Sequence, residues 1–300
     1  MKISTATSIC GNTLEKALSV IKEYGISEVE AAAGGYAGKE HCDPAKLLTD
    51  KTAFYKFCET FNAYDAEVSA LYVPCNPVHP DSETAKGADS DLRNAILLAE
   101  KLEIDTVITR SGCPGDQPGA KYPNWVCGFG DGCGALLEWQ WNEMLVPYWT
   151  ELASFAAEHG VTKLAFEMMP GNCVYNPETL LRLRSAVGNS VCADLDPSLL
   201  ILQGIDPAAA IRVLGETIVH VKAADLVTDG YEAAVNGILG SNTRSFGTVG
   251  YGQTAEAWTK LVYALRTVGY DGVLSVRGED KFIPAERSLE KAVRFLSQII

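Results

Sequence analysis

Residues 163–194 read KLAFEMMPGNCVYNPETLLRLRSAVGNSVCAD and contain one complete strand–helix–strand unit. The pattern predicts a buried strand over Lys163–Met168, a helix over Pro177–Ser185 and a second buried strand over Ser190–Asp194. Two buried strands joined through a helix are typical of a parallel sheet. The stretch therefore predicts an α/β fold.

The same alternation of short apolar runs and helix-period segments continues on both sides of this unit. It predicts six further strands, at Lys2–Thr7, Glu28–Ala33, Glu67–Tyr72, Asp105–Arg110, Thr217–Ala223 and Gly272–Arg277. It also predicts seven further helices, at Thr13–Glu23, Asp50–Ala63, Ser82–Leu102, Glu138–His159, Pro207–Leu214, Thr254–Val268 and Pro284–Ile299. This alternation, without a break in composition, predicts one domain over residues 1–300, folded as a single (β/α)8 TIM barrel.

The main alternative is an open, doubly wound sheet, in which a glycine-rich phosphate loop normally follows the first strand. Here that position holds Ser8-Ile-Cys-Gly-Asn12, which lacks the glycine spacing of a dinucleotide site. The closed barrel is therefore favoured. Because active sites of such barrels lie at the carboxyl ends of the strands, a site is expected there.

The chain is acidic, with 25 Lys and Arg residues against 38 Asp and Glu residues and a formal net charge of −13. Such a charge repels phosphate backbones and anionic lipids, so we expect neither a nucleic acid nor a membrane as partner. No apolar run approaches about 18 residues, so we expect no signal peptide and no transmembrane helix. The nine cysteines are scattered, several of them in apolar runs, which is typical of buried thiols in a reducing cytosol, and we expect a cytoplasmic location.

The ends of the last four predicted strands are unusually polar. They carry Glu167, Asp194, Asp196, His220, Lys222, Asp225, Arg277 and Glu279. Side chains alternate between the two faces of a strand, so His220 and Lys222 share one face, as do Asp194 and Asp196. If that face is the barrel interior, these charges must be paired, bound to an ion or open to solvent. A ring of salt bridges at the rim and a functional site both remain open on spacing alone.

Longer strings in the chain resemble the sugar phosphate isomerase/epimerase family, which belongs to the xylose isomerase-like barrels. The strings are NPVHP (76–80), SGCPGD (111–116), YPNW (122–125), EWQWNE (138–143), FEMMPG (166–171), VYNPETLLRL (174–183), DPSLLILQGIDP (196–207), GTVGYG (247–252) and VGYDGVLS (268–275). They span most of the chain, so the resemblance implies a shared fold and ancestry. Activity is a separate question.

The resemblance implies a manganese or magnesium ion, held by Glu, Asp, His and Glu from strands five to eight. The first two of these positions fall on Glu167 and Asp196, but the ligand histidine falls on Lys222 and the last glutamate on Arg277. Two further family histidines fall on Met169 and Leu199.

Lysine and arginine side chains, in their usual charge states, have no lone pair for a metal ion. We therefore predict no metal ligand and no cofactor, and a site in which Lys222 and Arg277 pair with Glu167 and Asp196. These four residues are the predicted catalytic set. The predicted substrate-binding residues are Asn76, His79, Trp125, His220, Asp225 and Glu279.

Three hypotheses for function remain open. The first is a metal-independent enzyme of sugar or keto-sugar metabolism, an isomerase or epimerase with a lyase as the further option, in which Lys222 stabilises an enolate or acts as a base. The second is a catalytically silent relative that binds a sugar or has a regulatory role. The third is a metal-dependent epimerase or lyase with a rearranged site that uses His220, Glu279 or His79. In each case the expected partner is a small sugar or sugar derivative, and related barrels commonly form homo-oligomers.

Overall fold

The computed structural model describes residues 1–128, 130–238 and 240–300. Eight parallel strands form a closed barrel: β1 (Lys2–Ala6), β2 (Glu28–Ala32), β3 (Glu67–Val73), β4 (Thr106–Thr109), β5 (Lys163–Glu167), β6 (Val191–Leu195), β7 (Ile218–Ala223) and β10 (Val273–Val276). The strands follow chain order around the barrel, and β10 pairs with β1 to close it. The predicted TIM barrel is confirmed.

The helices are α1 (Leu14–Glu23), α2 (Pro44–Thr49), α3 (Lys51–Ala63), α4 (Ser82–Lys101), α5 (Cys133–Trp139), α6 (Val146–Glu158), α7 (Pro177–Val187), α8 (Pro197–Leu202), α9 (Pro207–Leu214), α10 (Gly230–Asn236), α11 (Ala255–Thr267) and α12 (Ala285–Leu296). Many begin after a side chain that accepts a hydrogen bond from the first turn, which satisfies an otherwise unpaired amide. Examples are Thr13, Asp81, Asn176 and Thr254. In the described ranges, no helix is both long and apolar enough to cross a membrane.

Several elements were absent from the sequence prediction. Helices α2 and α8 precede predicted helices, and an antiparallel hairpin of β8 (Asp225–Thr228) and β9 (Arg244–Gly247) encloses α10. The single helix predicted over Glu138–His159 is α5, a π-helical turn at Gln140–Leu145 and α6. These pieces are short or irregular, so they carry too little periodicity to be recognised.

Two compact units can be distinguished in the chain. The first comprises Met1–Glu30, Thr60–Glu67 and Leu195–Ile300, and the second comprises Ala31–Glu59 and Val68–Asp194. In the first unit, Ser4 lies beside Ser275 and Ser275 beside Lys222, so that three neighbouring strands contribute polar side chains at one level. All three residues are buried.

In the second unit, buried strands β4 and β5 pair in parallel and are covered by α6. Trp149 of α6 packs edge-on against Phe166 of β5, with ring centroids 4.6 Å apart. Its indole N–H donates to the carbonyl of Ser111 at 3.0 Å. The same helix thus covers the apolar core and holds the segment that follows β4.

Candidate functional site

The first group of polar residues in the barrel is centred on Lys222, and we call Glu30, His220, Lys222 and Ser275 the Lys222 cluster. Only 2% of Lys222 is exposed, and its ammonium donates to both carboxylate oxygens of Glu30, at 2.6 and 2.5 Å. The Ser275 hydroxyl donates to Glu30 Oε2 at 3.1 Å, and His220 Nε2 lies 3.4 Å from that oxygen. Three strands, β2, β7 and β10, supply the cluster.

Burial alone would raise the pKa of Glu30, because a carboxylate loses hydration in the interior. Two effects outweigh burial: electrostatic attraction by Lys222 and His220, and the hydrogen bonds from Lys222 and Ser275. They hold the pKa of Glu30 below its ordinary value. Glu30 is therefore an anion at neutral pH. Removal of either partner of such a buried pair destabilises the fold, because the other charge is left in the interior without compensation.

The second group is centred on Arg277, and we call Asp196, Phe246, Arg277 and Glu279 the Arg277 cluster. Arg277 Nη1 donates to Asp196 Oδ2 at 2.7 Å, and Nη2 donates to Glu279 Oε1 at 2.8 Å. The guanidinium carbon lies 5.2 Å from the ring centroid of Phe246, within the range of a cation–π contact. The predicted pairing of Arg277 with Asp196 is confirmed.

Asp196 has further partners because it caps α8. Its Oδ1 atom accepts hydrogen bonds from the Ser198 amide at 2.8 Å, the Ser198 hydroxyl at 2.5 Å and the Leu199 amide at 3.4 Å. Together with Arg277, these donors engage both oxygens of a side chain that is fully buried. Asp196 is thus a fixed carboxylate that orients the guanidinium.

The third group lies in the second compact unit, and we call Tyr72, Arg110 and Glu167 the Glu167 cluster. Arg110 Nε donates to Glu167 Oε2 at 2.6 Å. The Tyr72 hydroxyl lies 3.3 and 3.5 Å from the two oxygens of the same carboxylate. Glu167 is fully buried, so Arg110 balances its charge.

Sequence reasoning missed Glu30, Arg110 and Tyr72. Glu30 could have been found, because it is the only charged residue in the apolar run Val29–Ala33. Arg110 and Tyr72 each lie at the end of a predicted strand, the position that singled out the other candidates. The pairing of Lys222 with Glu167 stays a prediction, whereas Glu30 and Arg110 are partners that the sequence did not reveal.

Among the predicted substrate-binding residues, Asn76 and His79 lie in the segment after β3. The Asn76 side chain exchanges two hydrogen bonds with the backbone of Cys113, at 2.9 and 3.0 Å, and so links that segment to the one after β4. His79 Nδ1 accepts from the Asp81 amide at 3.0 Å. His79 also lines a cavity of about 440 Å³ together with residues such as Trp139.

Trp125 and Asp225 have contrasting surroundings. Trp125 is 39% exposed and meets Tyr175 edge-on, with ring centroids 5.2 Å apart. Asp225 is fully buried. Its carboxylate accepts from the indole of Trp258 at 2.9 Å and from the backbone amides of Gly250, Gly252 and Gln253 at 2.7, 2.9 and 3.0 Å. Burial raises the pKa of Asp225 in spite of these donors. Asp225 therefore holds the loop before α11 in place.

The residues at the positions where the resemblance implies a divalent ion do not form a set of metal ligands. Lys222 and Arg277 stand at two of the four ligand positions that the resemblance implies, and their nitrogens are donors without a lone pair in their charged forms. Asp196, a third position, already binds Arg277 and the first turn of α8. Over residues 1–128, 130–238 and 240–300, no group of three or more His, Cys, Asp or Glu side chains is placed to hold a metal ion.

Solved structures of known proteins share this fold. The probable 3-DHS dehydratase AsbF of Bacillus anthracis superimposes with a TM-score of 0.71 at 14% identity, covering 99% of each chain. A D-allulose 3-epimerase from Methylomonas sp. in complex with D-allulose superimposes with a TM-score of 0.65 at 13% identity, covering 100% of this chain and 97% of its own.

At the level of sequence, the chain is 32% identical over 312 residues to the uncharacterised protein YfiH of Bacillus subtilis (strain 168). The similarity covers 100% of this chain and 99% of YfiH. Residues 10–299 match the family described as "Xylose isomerase-like TIM barrel". The chain therefore belongs to the xylose isomerase-like TIM barrel family.

Proposed function

We propose that this barrel binds a sugar or keto-sugar and interconverts it by isomerase- or epimerase-type proton transfer without a divalent metal ion. The observation that carries the proposal is the buried ion pair between Lys222 and Glu30. Burying these two charges in the barrel costs several kcal/mol of desolvation per ion, which packing alone does not require. Their pairing keeps a cation and a carboxylate close together in a low-dielectric site.

The proposed reaction begins with proton removal from a carbon next to the carbonyl of the sugar. Glu30, ionised because its pKa is lowered, accepts the proton while the electron pair moves onto the carbonyl oxygen. The Lys222 ammonium stabilises the enolate oxygen, the role that a bound metal ion has in many barrels. Asp196 has no role as a base in this proposal, because it caps α8 and pairs with Arg277.

Return of the proton decides the product. Delivery to the opposite face of the same carbon gives an epimer. Delivery to the former carbonyl carbon gives an isomer, when the proton of the neighbouring hydroxyl group also moves to the enolate oxygen and leaves a new carbonyl behind. Loss of a hydroxide from the next carbon gives elimination, the type of reaction indicated by the name of the AsbF dehydratase. The similar solved structures include both epimerases and a dehydratase, at low sequence identity. They therefore support the enolate intermediate that these reactions share, and not one particular product.

A second candidate is a sugar-binding relative without turnover. The hydrogen bonds of Asp196 favour this candidate, because a carboxylate that accepts from four protein donors is held in a structural role. In this case Arg277 and Lys222 would only orient the bound sugar.

Deuterium exchange in D2O tests both candidates. Chelator-treated protein is incubated with D-fructose, D-allulose, D-tagatose and their aldose isomers, with and without Mn²⁺, and exchange at the carbon next to the carbonyl is followed by NMR. We expect metal-independent exchange that falls at least about a hundredfold in Lys222→Met. Lys260→Met, which removes an exposed lysine, is the matched control.

Exchange that depends on Mn²⁺ would refute the metal-free mechanism. Sugar-dependent thermal stabilisation without any exchange would support the second candidate instead. Glu30→Gln should abolish exchange as Lys222→Met does, because it removes the proton acceptor while retaining the shape of the side chain.

A further inference from the structure

The guanidinium of Arg277 has two edges with very different partners. At one edge, Nη1 meets Asp196, whose side chain is fully buried and anchored to α8. At the other edge, Nη2 meets Glu279, whose side chain is 57% exposed. Arg277 itself is 16% exposed, so the second edge is where the guanidinium approaches solvent.

The two ion pairs differ in how readily they open. The buried pair with Asp196 resists separation, because separation would leave an uncompensated charge in the interior. The pair with Glu279 is half exposed, and exposed pairs contribute little to stability. A competing anion can therefore displace the Glu279 carboxylate while the guanidinium stays where Asp196 and Phe246 hold it.

We propose that the outer edge of Arg277 is a carboxylate subsite and that the sugar ligand of this protein is a sugar acid, whose carboxylate takes the place of Glu279. The inference rests on the proposed function, since it names the substrate class of the same site. The exchange replaces one carboxylate by another, so the charge next to Arg277 is unchanged when the ligand is bound.

A carboxylate suits this edge better than a phosphate. The carboxylate of Glu279 already bonds Nη2 at 2.8 Å, so the edge accepts a planar group of this size. Guanidinium and carboxylate groups match in planar geometry, which gives directional hydrogen bonds as well as attraction. A phosphate is larger, tetrahedral and close to doubly charged, and it would bring additional negative charge beside Asp196.

Calorimetric titration with matched ligands tests the subsite. D-Fructose is compared with D-fructuronate and with D-fructose 6-phosphate, and D-galactose with D-galacturonate. We expect each acid to bind about tenfold or more tightly than its neutral partner and more tightly than the phosphate. The preference should weaken as salt concentration rises, because the outer edge approaches solvent.

The variant Glu279→Gln separates displacement from simple attraction. Because the neutral amide of this variant no longer competes for Arg277 as an anion, the acids should bind several-fold more tightly, and the acid-to-neutral ratio should rise. Glu290→Gln is the control, since Glu290 pairs with Arg287 at the same distance of 2.8 Å on α12. It removes the same charge and should leave the ratio unchanged.

Equal or tighter binding of the neutral sugars would overturn the inference and leave the proposed function standing. Tighter binding of D-fructose 6-phosphate would also overturn it, in favour of a sugar phosphate. An unchanged or lower acid-to-neutral ratio in Glu279→Gln would show that Glu279 does not occupy the subsite. Binding of the acids without deuterium exchange in the bound acids themselves would support the subsite and refute the proposed reaction. Absence of binding by every sugar would refute both.

Discussion

Lys222 and Arg277 are both cations at positions where the resemblance drawn from the sequence implies metal ligands, yet they differ in their surroundings. Lys222 is enclosed and engages both oxygens of one partner, Glu30. Arg277 bridges one buried and one exposed carboxylate. We expect the former to matter for stability and proton transfer, and the latter for ligand selection.

Removal of the Lys222 charge should strongly destabilise the fold. Lys222→Met leaves Glu30 buried without its main counter-charge, and we expect a loss of about 3–5 kcal/mol in the free energy of unfolding. The double variant Lys222→Met, Glu30→Gln should recover part of that loss, because no buried charge is then uncompensated. Urea unfolding measures both, with Lys260→Met as an exposed control that should cost less than about 1 kcal/mol. If Lys222→Met alone lost no more unfolding free energy than Lys260→Met, the assigned pairing of Lys222 with Glu30 would be contradicted.

Acid should weaken the fold through Glu30. The pKa of this carboxylate is below its usual 4.5 in the folded state. Its ionised form therefore contributes stability that is fully present above about pH 5 and is lost as the pH falls through the lowered folded-state pKa. The difference in unfolding free energy between the wild type and Glu30→Gln should shrink as urea titrations move from about pH 6 toward pH 3. A difference that is constant across this range would exclude the effect.

At the scale of elements, two neighbouring helices begin with the same Asp-Pro pair and so provide an internal comparison. Asp196 caps α8 through the amides of Ser198 and Leu199, at 2.8 and 3.4 Å. Asp206 caps α9 through the amides two and three residues onward, at 2.8 and 3.3 Å. Asp196 differs from the exposed Asp206 in being buried, in accepting from the Ser198 hydroxyl and in pairing with Arg277.

Alanine substitution at the two caps should therefore give unequal losses of stability. Asp206→Ala removes a cap alone and should cost about 1 kcal/mol. Asp196→Ala also leaves Arg277 without its buried partner and should cost about 3 kcal/mol or more. Thermal and urea unfolding of the two variants measure the difference. Equal losses would mean that Arg277 finds another partner and that its pair with Asp196 is dispensable.

The elements themselves were largely predictable. Barrel strands are buried on both faces and read as apolar runs, and the longer helices show their period clearly, so their bounds were within a few residues of those observed. The exceptions have physical reasons. Helix α8 has only six residues. The β8–β9 hairpin interrupts a βα unit in which no further strand was expected.

At the scale of the whole molecule, the strand ends were predictable but their pairing was not. Alternation correctly placed His220 and Lys222 on one face. Which carboxylate meets which cation depends on register between strands far apart in the chain, as for Glu30 and Lys222, which are separated by 192 positions. The spacing of residues within a single strand does not show which residues of other strands lie beside them.

The cysteines provide a test of the packing of the whole barrel. Burial raises the pKa of Cys42 and Cys75 to about 12 and that of Cys10 to about 11, whereas Cys127 is exposed. Because the thiolate is the reactive form, iodoacetamide at about pH 8 should modify Cys127 first and the three buried thiols only on unfolding. Mass spectrometry locates the labels, and urea-unfolded protein, in which all nine should react, is the control. Rapid labelling of Cys75 in the folded protein would contradict the packing described.

The partial exposure of Trp125 has an optical consequence. Trp141, Trp149 and Trp258 are almost completely buried, whereas Trp125 is 39% exposed beside Tyr175. A small quencher such as acrylamide should therefore reach Trp125 more readily than it reaches these three. The fluorescence of the unlabelled protein thus contains an intrinsic reporter on the segment after β4, and shielding of Trp125 from the quencher would register a ligand that covers this segment without any chemical modification.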